Sequence, residues 1–140
     1  MSPRLPYPEM IPGLPAPEIR LEPSELDIGR QVAEYLEKLV KACPGFSWTR
    51  RNSGKIRTRQ GAWVFLGDPG TPDYSGHLPG GRAWYLELKK PGARPTNARD
   101  KERWAAQERF IAAAASAGCV AFRATSLQEV ADRIGKELKG

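Results

Sequence analysis

Histidine is almost missing from this 140-residue sequence: His77 is the only one, and it sits in a turn rich in glycine and proline. Zinc sites built from several imidazoles, and hydrolases that use a histidine base, therefore lack the groups they need. Cysteine is nearly as scarce. Cys43 and Cys119 are far apart and form no Cys-x-x-Cys pair, which argues against a zinc cluster or a disulfide framework and fits a reduced, cytoplasmic setting. Long apolar runs are lacking too. Prolines at 3, 6, 8, 12, 15 and 17 interrupt the segment in which a signal peptide would carry its apolar core, so neither export nor a membrane span is expected. Residues 1–23 read instead as an extended, polyproline-like arm, since repeated proline removes amide donors and blocks helix. Residues 24–140 are expected to form one domain.

Positive charge is in excess, with a net charge of +6 and a pI near 9.6. It is also localised: between Pro44 and Arg103 twelve Lys/Arg face five Asp/Glu, whereas the flanking segments are close to neutral. A basic balance alone suits nucleic acid, an acidic membrane or an acidic protein equally well. Its concentration in the middle of the chain makes Arg50, Arg51, Lys55, Arg57 and Arg59 candidates for phosphate contacts, and Asn52 and Ser53 of the turn among them join that candidate surface. Lys90 and Arg94 are further candidates, followed by Arg99, Lys101 and Arg103.

The periodicities predict an α/β domain in the order αβββαβα. Ser24 caps a first helix whose apolar positions are Val32, Leu36, Leu39 and Val40. Phe46 to Arg50 and Ala62 to Leu66, separated by Asn52-Ser53-Gly54, read as strands joined by a turn or hairpin. Asp73-Tyr74-Ser75 begins another short strand, and Ala83 to Lys90 is the clearest of all. Its alternation places Trp84, Leu86 and Leu88 on one face and Tyr85, Glu87 and Lys89 on the other. Thr96 or Asn97 then caps a long helix that ends at Gly118, with Trp104, Ile111 and Ala115 along one stripe. Val120 to Ala124 is a strand, and Ser126-Leu127-Gln128-Glu129 is a capping box that opens a last amphipathic helix. Trp48, Trp63 and Trp84 fall in strands and are expected in the core rather than as platforms for bases.

Asp73 and Glu87 are the residues with chemistry to offer. Hydrolysis of a phosphodiester at neutral pH needs a metal to generate a hydroxide-like nucleophile and positive charge to stabilise the transition state. Mg²⁺ is held by one or two carboxylates with water and phosphate, which two acids on neighbouring strands can supply. Lys89, two residues beyond Glu87, projects to the same side, and the Leu88 carbonyl is a further candidate ligand. Either element alone carries little weight, because solvent faces of strands commonly alternate charged residues.

Taken together, Gly70-Thr71-Pro72-Asp73 followed by Glu87-Leu88-Lys89 resembles the signature of the PD-(D/E)XK nuclease superfamily. Arg51-Asn52-Ser53-Gly54, Thr96, Gln107 and the stretch from Gly118 to Ala124 ahead of Ser126 resemble its compact VRR-NUC branch. The resemblance runs from about Glu25 to the C-terminus. It implies a restriction-endonuclease-like core with a mixed central sheet and two Mg²⁺ or Mn²⁺ ions, and hydrolysis that leaves a 5′-phosphate. It also implies a homodimer similar in role to Holliday-junction resolvases, acting on branched DNA. In that family a glutamate on the first helix adds a ligand; Glu34 matches it best, with Glu25 and Glu37 as alternatives. Gln107 matches the family's helical glutamine and, three residues after Trp104 and four before Ile111, would point inward. The expectation is a metal-dependent endodeoxyribonuclease with Asp73, Glu87, Lys89 and Gln107 in its site. A restriction or end-processing nuclease on the same fold, and a non-catalytic nucleic-acid-binding module, are the alternatives.

Overall fold

The computed structural model describes residues 13–14, 25–51, 55–57, 59–60, 63–65 and 70–139. The chain runs α1 (Glu25–Ala42), β1 (Ser47–Arg50), β2 (Lys55–Arg57), β3 (Trp63–Phe65), β4 (Tyr74–His77), β5 (Ala83–Leu88), α2 (Ala98–Ser116), β6 (Val120–Ala124) and α3 (Leu127–Lys139). Four strands form a mixed sheet in the order β1-β4-β5-β6, antiparallel except for the parallel β5–β6 pair. The parallel pair follows from the crossover through α2, since two parallel strands need a long connection. It is an α/β fold.

The alternation of β5 divides the molecule. Trp84, Leu86 and Leu88 are buried in a core shared with Ile28, Val32, Leu36 and Leu39 of α1 and Val130 and Ile134 of α3. Removing each such side chain from water contributes about 1.5–3 kcal/mol. On the other face Tyr85 meets Phe110 of α2 edge to face, with ring centroids 5.0 Å apart. Helices α1 and α3 thus cover one side of the sheet and α2 the other. Trp84 also ties β5 to the start of β1: its ring stacks on Phe46 at 5.7 Å and its Nε1 donates to the Ser47 carbonyl at 3.1 Å. Gly76 lies opposite Trp84 in the register, and a Cβ there would overlap the Ser47 oxygen and stand 2.8 Å from the indole nitrogen.

Several expectations need correction. β1 and the strand over 62–66 do not form a hairpin: β1 pairs with β4, and β3 pairs with β2, a strand the sequence reading did not separate, in a two-stranded ribbon. Val40 is 40 % exposed, because the buried stripe of α1 passes through 28, 32, 35, 36 and 39 and leaves 40 at its edge. On α2 Ala115 is exposed, Trp104 and Ile111 are half-buried, and Gln107 alone is buried. Asn97 provides the α2 cap, its side chain accepting from the Asp100 amide at 2.8 Å. Ser126 accepts from the Glu129 amide at 3.1 Å, and Glu129 reaches back to the Thr125 amide. Ser24, Asn52, Ser53, the side chains of Glu25, Lys55, Arg57 and Trp63, and most of the proline-rich arm lie outside the described residues; of that arm, Leu14 packs against the core. No helix among the described residues is long and apolar enough to cross a membrane.

Candidate active site

Asp73 is fixed from both sides through its backbone. Its carbonyl accepts from the Arg51 amide at 2.6 Å where β1 ends, and its own amide donates to Glu87 Oε2 at 3.2 Å. Gly70, three residues earlier, lies against α2, where a Cβ would stand 2.8 Å from the Ala106 carbonyl oxygen. Glycine therefore lets the Thr71-Pro72-Asp73 turn sit down on the helix that carries Gln107.

Glu87 is the hub. Only 2 % exposed, it accepts from Gln107 Nε2 at 3.0 Å through Oε1, and the same oxygen is 3.2 Å from the Lys89 ammonium. Burial and, secondarily, the neighbouring Asp73 carboxylate push its pKa above the ordinary 4.5, against the pull of Lys89 and the Asp73 amide. Gln107 Oε1 is buried without a hydrogen-bond partner. Lys89 follows β5, its amide donating to Ala124 at 2.9 Å and its ammonium lying 5.3 Å from the centre of the Trp104 ring. Arg123, beside Glu87 in the β5–β6 register, stacks on the same indole at 4.0 Å and pairs with Glu108.

Two clefts meet at Asp73. The one towards α2, about 500 Å³, holds Glu87, Leu88 and Lys89 and is walled by Arg50, Arg51, Lys90, Arg94 and Arg103. The one towards α1, about 380 Å³, is bordered by Gly29, Arg30, Ala33, Arg50 and Tyr74. The structure thus brings together Asp73, Glu87, Leu88, Lys89 and Gln107, with five of the basic candidates around them. Glu34 is exposed on α1 and lines neither cleft, and the exposed Glu37 accepts from Trp48 Nε1 at 2.8 Å. Arg59, Arg99 and Lys101 are exposed and line neither cleft; His77 is exposed and hydrogen-bonds Ser47. Among the described residues no group of three His, Cys, Asp or Glu side chains gathers, so Asp73 and Glu87 stand as a pair.

Arg30, Arg123 and the pairing of Trp104 with Lys89 were not read from sequence. Arg123 had a signal, being the sole charge in an otherwise apolar strand. Gly29 and Ala33, one turn apart in α1, had another, because a glycine inside a helix costs stability and calls for a packing or functional reason. No family model matches the chain, and neither a curated protein nor a solved structure matches it.

Proposed function

We propose that this chain is a metal-dependent DNA endonuclease with a restriction-endonuclease-like core, in which Asp73 and Glu87 hold the metal and Lys89 serves the attacking water. The observation that carries the reading is Glu87: a carboxylate almost fully buried, joined by Gln107, Lys89 and the Asp73 amide at the floor of a cleft walled by arginine and lysine. A burial of this kind beside a second carboxylate opposes its ionisation, and perturbed acids in clefts mark functional sites.

The donor set fits Mg²⁺ or Mn²⁺. Asp73 and Glu87 offer hard oxygen ligands, Leu88 lines the same cleft, and a divalent cation would relieve the repulsion between the two acids. When bound, the metal supplies Lewis acidity and lowers the pKa of a coordinated water. The protein's own groups do the rest. Gln107 fixes the Glu87 carboxylate in rotation. Lys89, anchored over Trp104, holds positive charge where the water and the phosphate oxygens meet. The arginines on the rim neutralise the phosphates on either side of the reacting one.

The small size of the domain, with one such centre per chain, supports a homodimer when two strands are cut in a paired way, and branched DNA is the substrate proposed. The test is cleavage of junction, flap, nicked and linear duplexes with Mg²⁺ or Mn²⁺. Asp73→Asn should lower the rate by orders of magnitude while DNA binding persists or tightens, since a charge that repels phosphate is gone. Wild-type rates in Asp73→Asn and Glu87→Gln would favour a basic binding module without catalysis.

A further inference from the structure

The cleft on the α1 side of Asp73 contains no part of the Glu87–Lys89–Gln107 cluster, yet two guanidinium groups border it. Arg30 comes from α1 and Arg50 from the end of β1. Arg50 lies over the Tyr74 ring, its carbon 5.9 Å from the ring centre. Gly29 and Ala33 leave the helix side of the cleft open: a Cβ at 29 would come within 3.4 Å of the Tyr74 hydroxyl. Elsewhere Arg82, Arg123 and Arg133 are each paired with a glutamate, whereas Arg51, Arg94 and Arg103 of the larger cleft, like the two arginines here, form no ion pair among the described residues. Among the described residues Arg30 and Arg50 have no such partner, so two cations converge on about 380 Å³ of space that holds one carboxylate, Asp73. Asp73, Leu88 and Arg50 border both clefts, and Arg30 borders the smaller one alone. The two clefts are continuous there, so a phosphodiester chain whose reacting phosphate lies at Glu87 and Lys89 can run on into the α1 side.

We infer that Arg30 and Arg50 form a second phosphate site, which grips the nucleic-acid strand at a phosphate adjacent to the one cleaved. This rests on the nuclease reading for its substrate, and it adds a residue on α1 to the contact surface. Guanidinium suits the role because its fork of donors matches two phosphate oxygens at once. The site is read as a subsite of a polynucleotide rather than a pocket for free phosphate, because it is open at Asp73 and continuous with the larger cleft.

The test is binding of a labelled short duplex to the full-length chain without divalent metal, followed by fluorescence anisotropy. Arg30→Gln and Arg50→Gln should each weaken binding about tenfold at low salt, and each should reduce the salt slope by about one. Lys136→Gln, an exposed change on α3, removes the same charge and should cost far less. A set of duplexes carrying one neutral methylphosphonate, moved along the strand, should reveal a position that weakens the wild type and leaves the double Arg30→Gln, Arg50→Gln variant unaffected. The inference is overturned if Arg30→Gln behaves like Lys136→Gln, or if every methylphosphonate costs wild type and double variant alike. Displacement of the duplex by equimolar inorganic phosphate would also overturn it, in favour of a free-phosphate pocket. Cleavage separates the two readings. Loss of cutting in Asp73→Asn with unchanged binding in Arg30→Gln refutes only the second site; persistent cutting in Asp73→Asn refutes the nuclease reading while the binding result stands.

Discussion

Replacing Glu87 by glutamine should make the metal-free protein more stable at neutral pH, and by an amount that depends on pH. Burial and the nearby Asp73 raise the folded-state pKa of Glu87 above 4.5, so the folded chain holds the proton more tightly than the unfolded chain. The sign follows from that difference: the contribution of Glu87 is fully present below its unfolded value near 4.5 and is lost as pH rises through the folded value. Within that window the loss is about 1.4 kcal/mol per pH unit. For a domain of this length 1 kcal/mol moves Tm by about 4 °C, so the slope is about 6 °C per pH unit. Glutamine removes the titration and keeps most of the contacts. Its carbonyl oxygen can still accept from the Asp73 amide, and its NH₂ can donate to the Gln107 oxygen once the Gln107 amide turns over; Gln107 Nε2 then takes the unpartnered place that Oε1 has in the wild type, so the balance of satisfied atoms there is unchanged. The attraction of the Lys89 ammonium opposes this shift and is already contained in its net upward direction. Calorimetry of both proteins in chelator should show the Glu87→Gln variant gaining on the wild type as pH rises from 4 towards 7. A constant difference, or one that shrinks with rising pH, refutes the reasoning.

Mg²⁺ should raise the Tm of the wild type and leave that of Glu87→Gln almost unchanged, a contrast that differential scanning fluorimetry measures. Trp104→Leu removes the ring beneath Lys89 and should lower single-turnover cleavage by about threefold to thirtyfold with little change in DNA affinity; recovery in Trp104→Phe would identify the cation–π contact as the cause. Gly76→Ala should destabilise the fold by about 3 kcal/mol or more in urea titration, because its Cβ collides with Ser47 and Trp84 at the β1–β4 seam. Sedimentation of the active species should give about twice the 15.5 kDa chain mass.

The parts of the fold legible in the sequence were those written by local periodicity. Strand β5 was clear because Trp84, Leu86 and Leu88 alternate with Tyr85 and Glu87 within it, and the same pattern carried one residue further placed Lys89 on the side of Glu87. Gln107 was legible as an inward amide, though its partner was not, since the Glu87–Gln107 contact joins residues twenty apart in sequence. Strand pairing was beyond reach: β1 and its next clear apolar run looked like neighbours, as consecutive strands commonly are, yet β4 takes that place and the intervening residues include a separate ribbon. Arg123 stood out as the one charge in an apolar strand and Arg30 lies beside a glycine inside a helix, but neither signal names a partner. Only the spatial meeting of α1 with β4, and of β6 with α2, gives either one a setting.

Strand β5 has one last consequence. Because side chains alternate strictly, sliding it by one residue against β4 or β6 would turn Glu87 into the apolar core and push Trp84, Leu86 and Leu88 towards α2. Burying a carboxylate among leucines without its partners costs several kcal/mol, and exposing the displaced tryptophan and leucines adds to it. The core is thus the ruler against which the carboxylate, the ammonium and the amide are aligned, and a misaligned site carries an unfavourable fold with it.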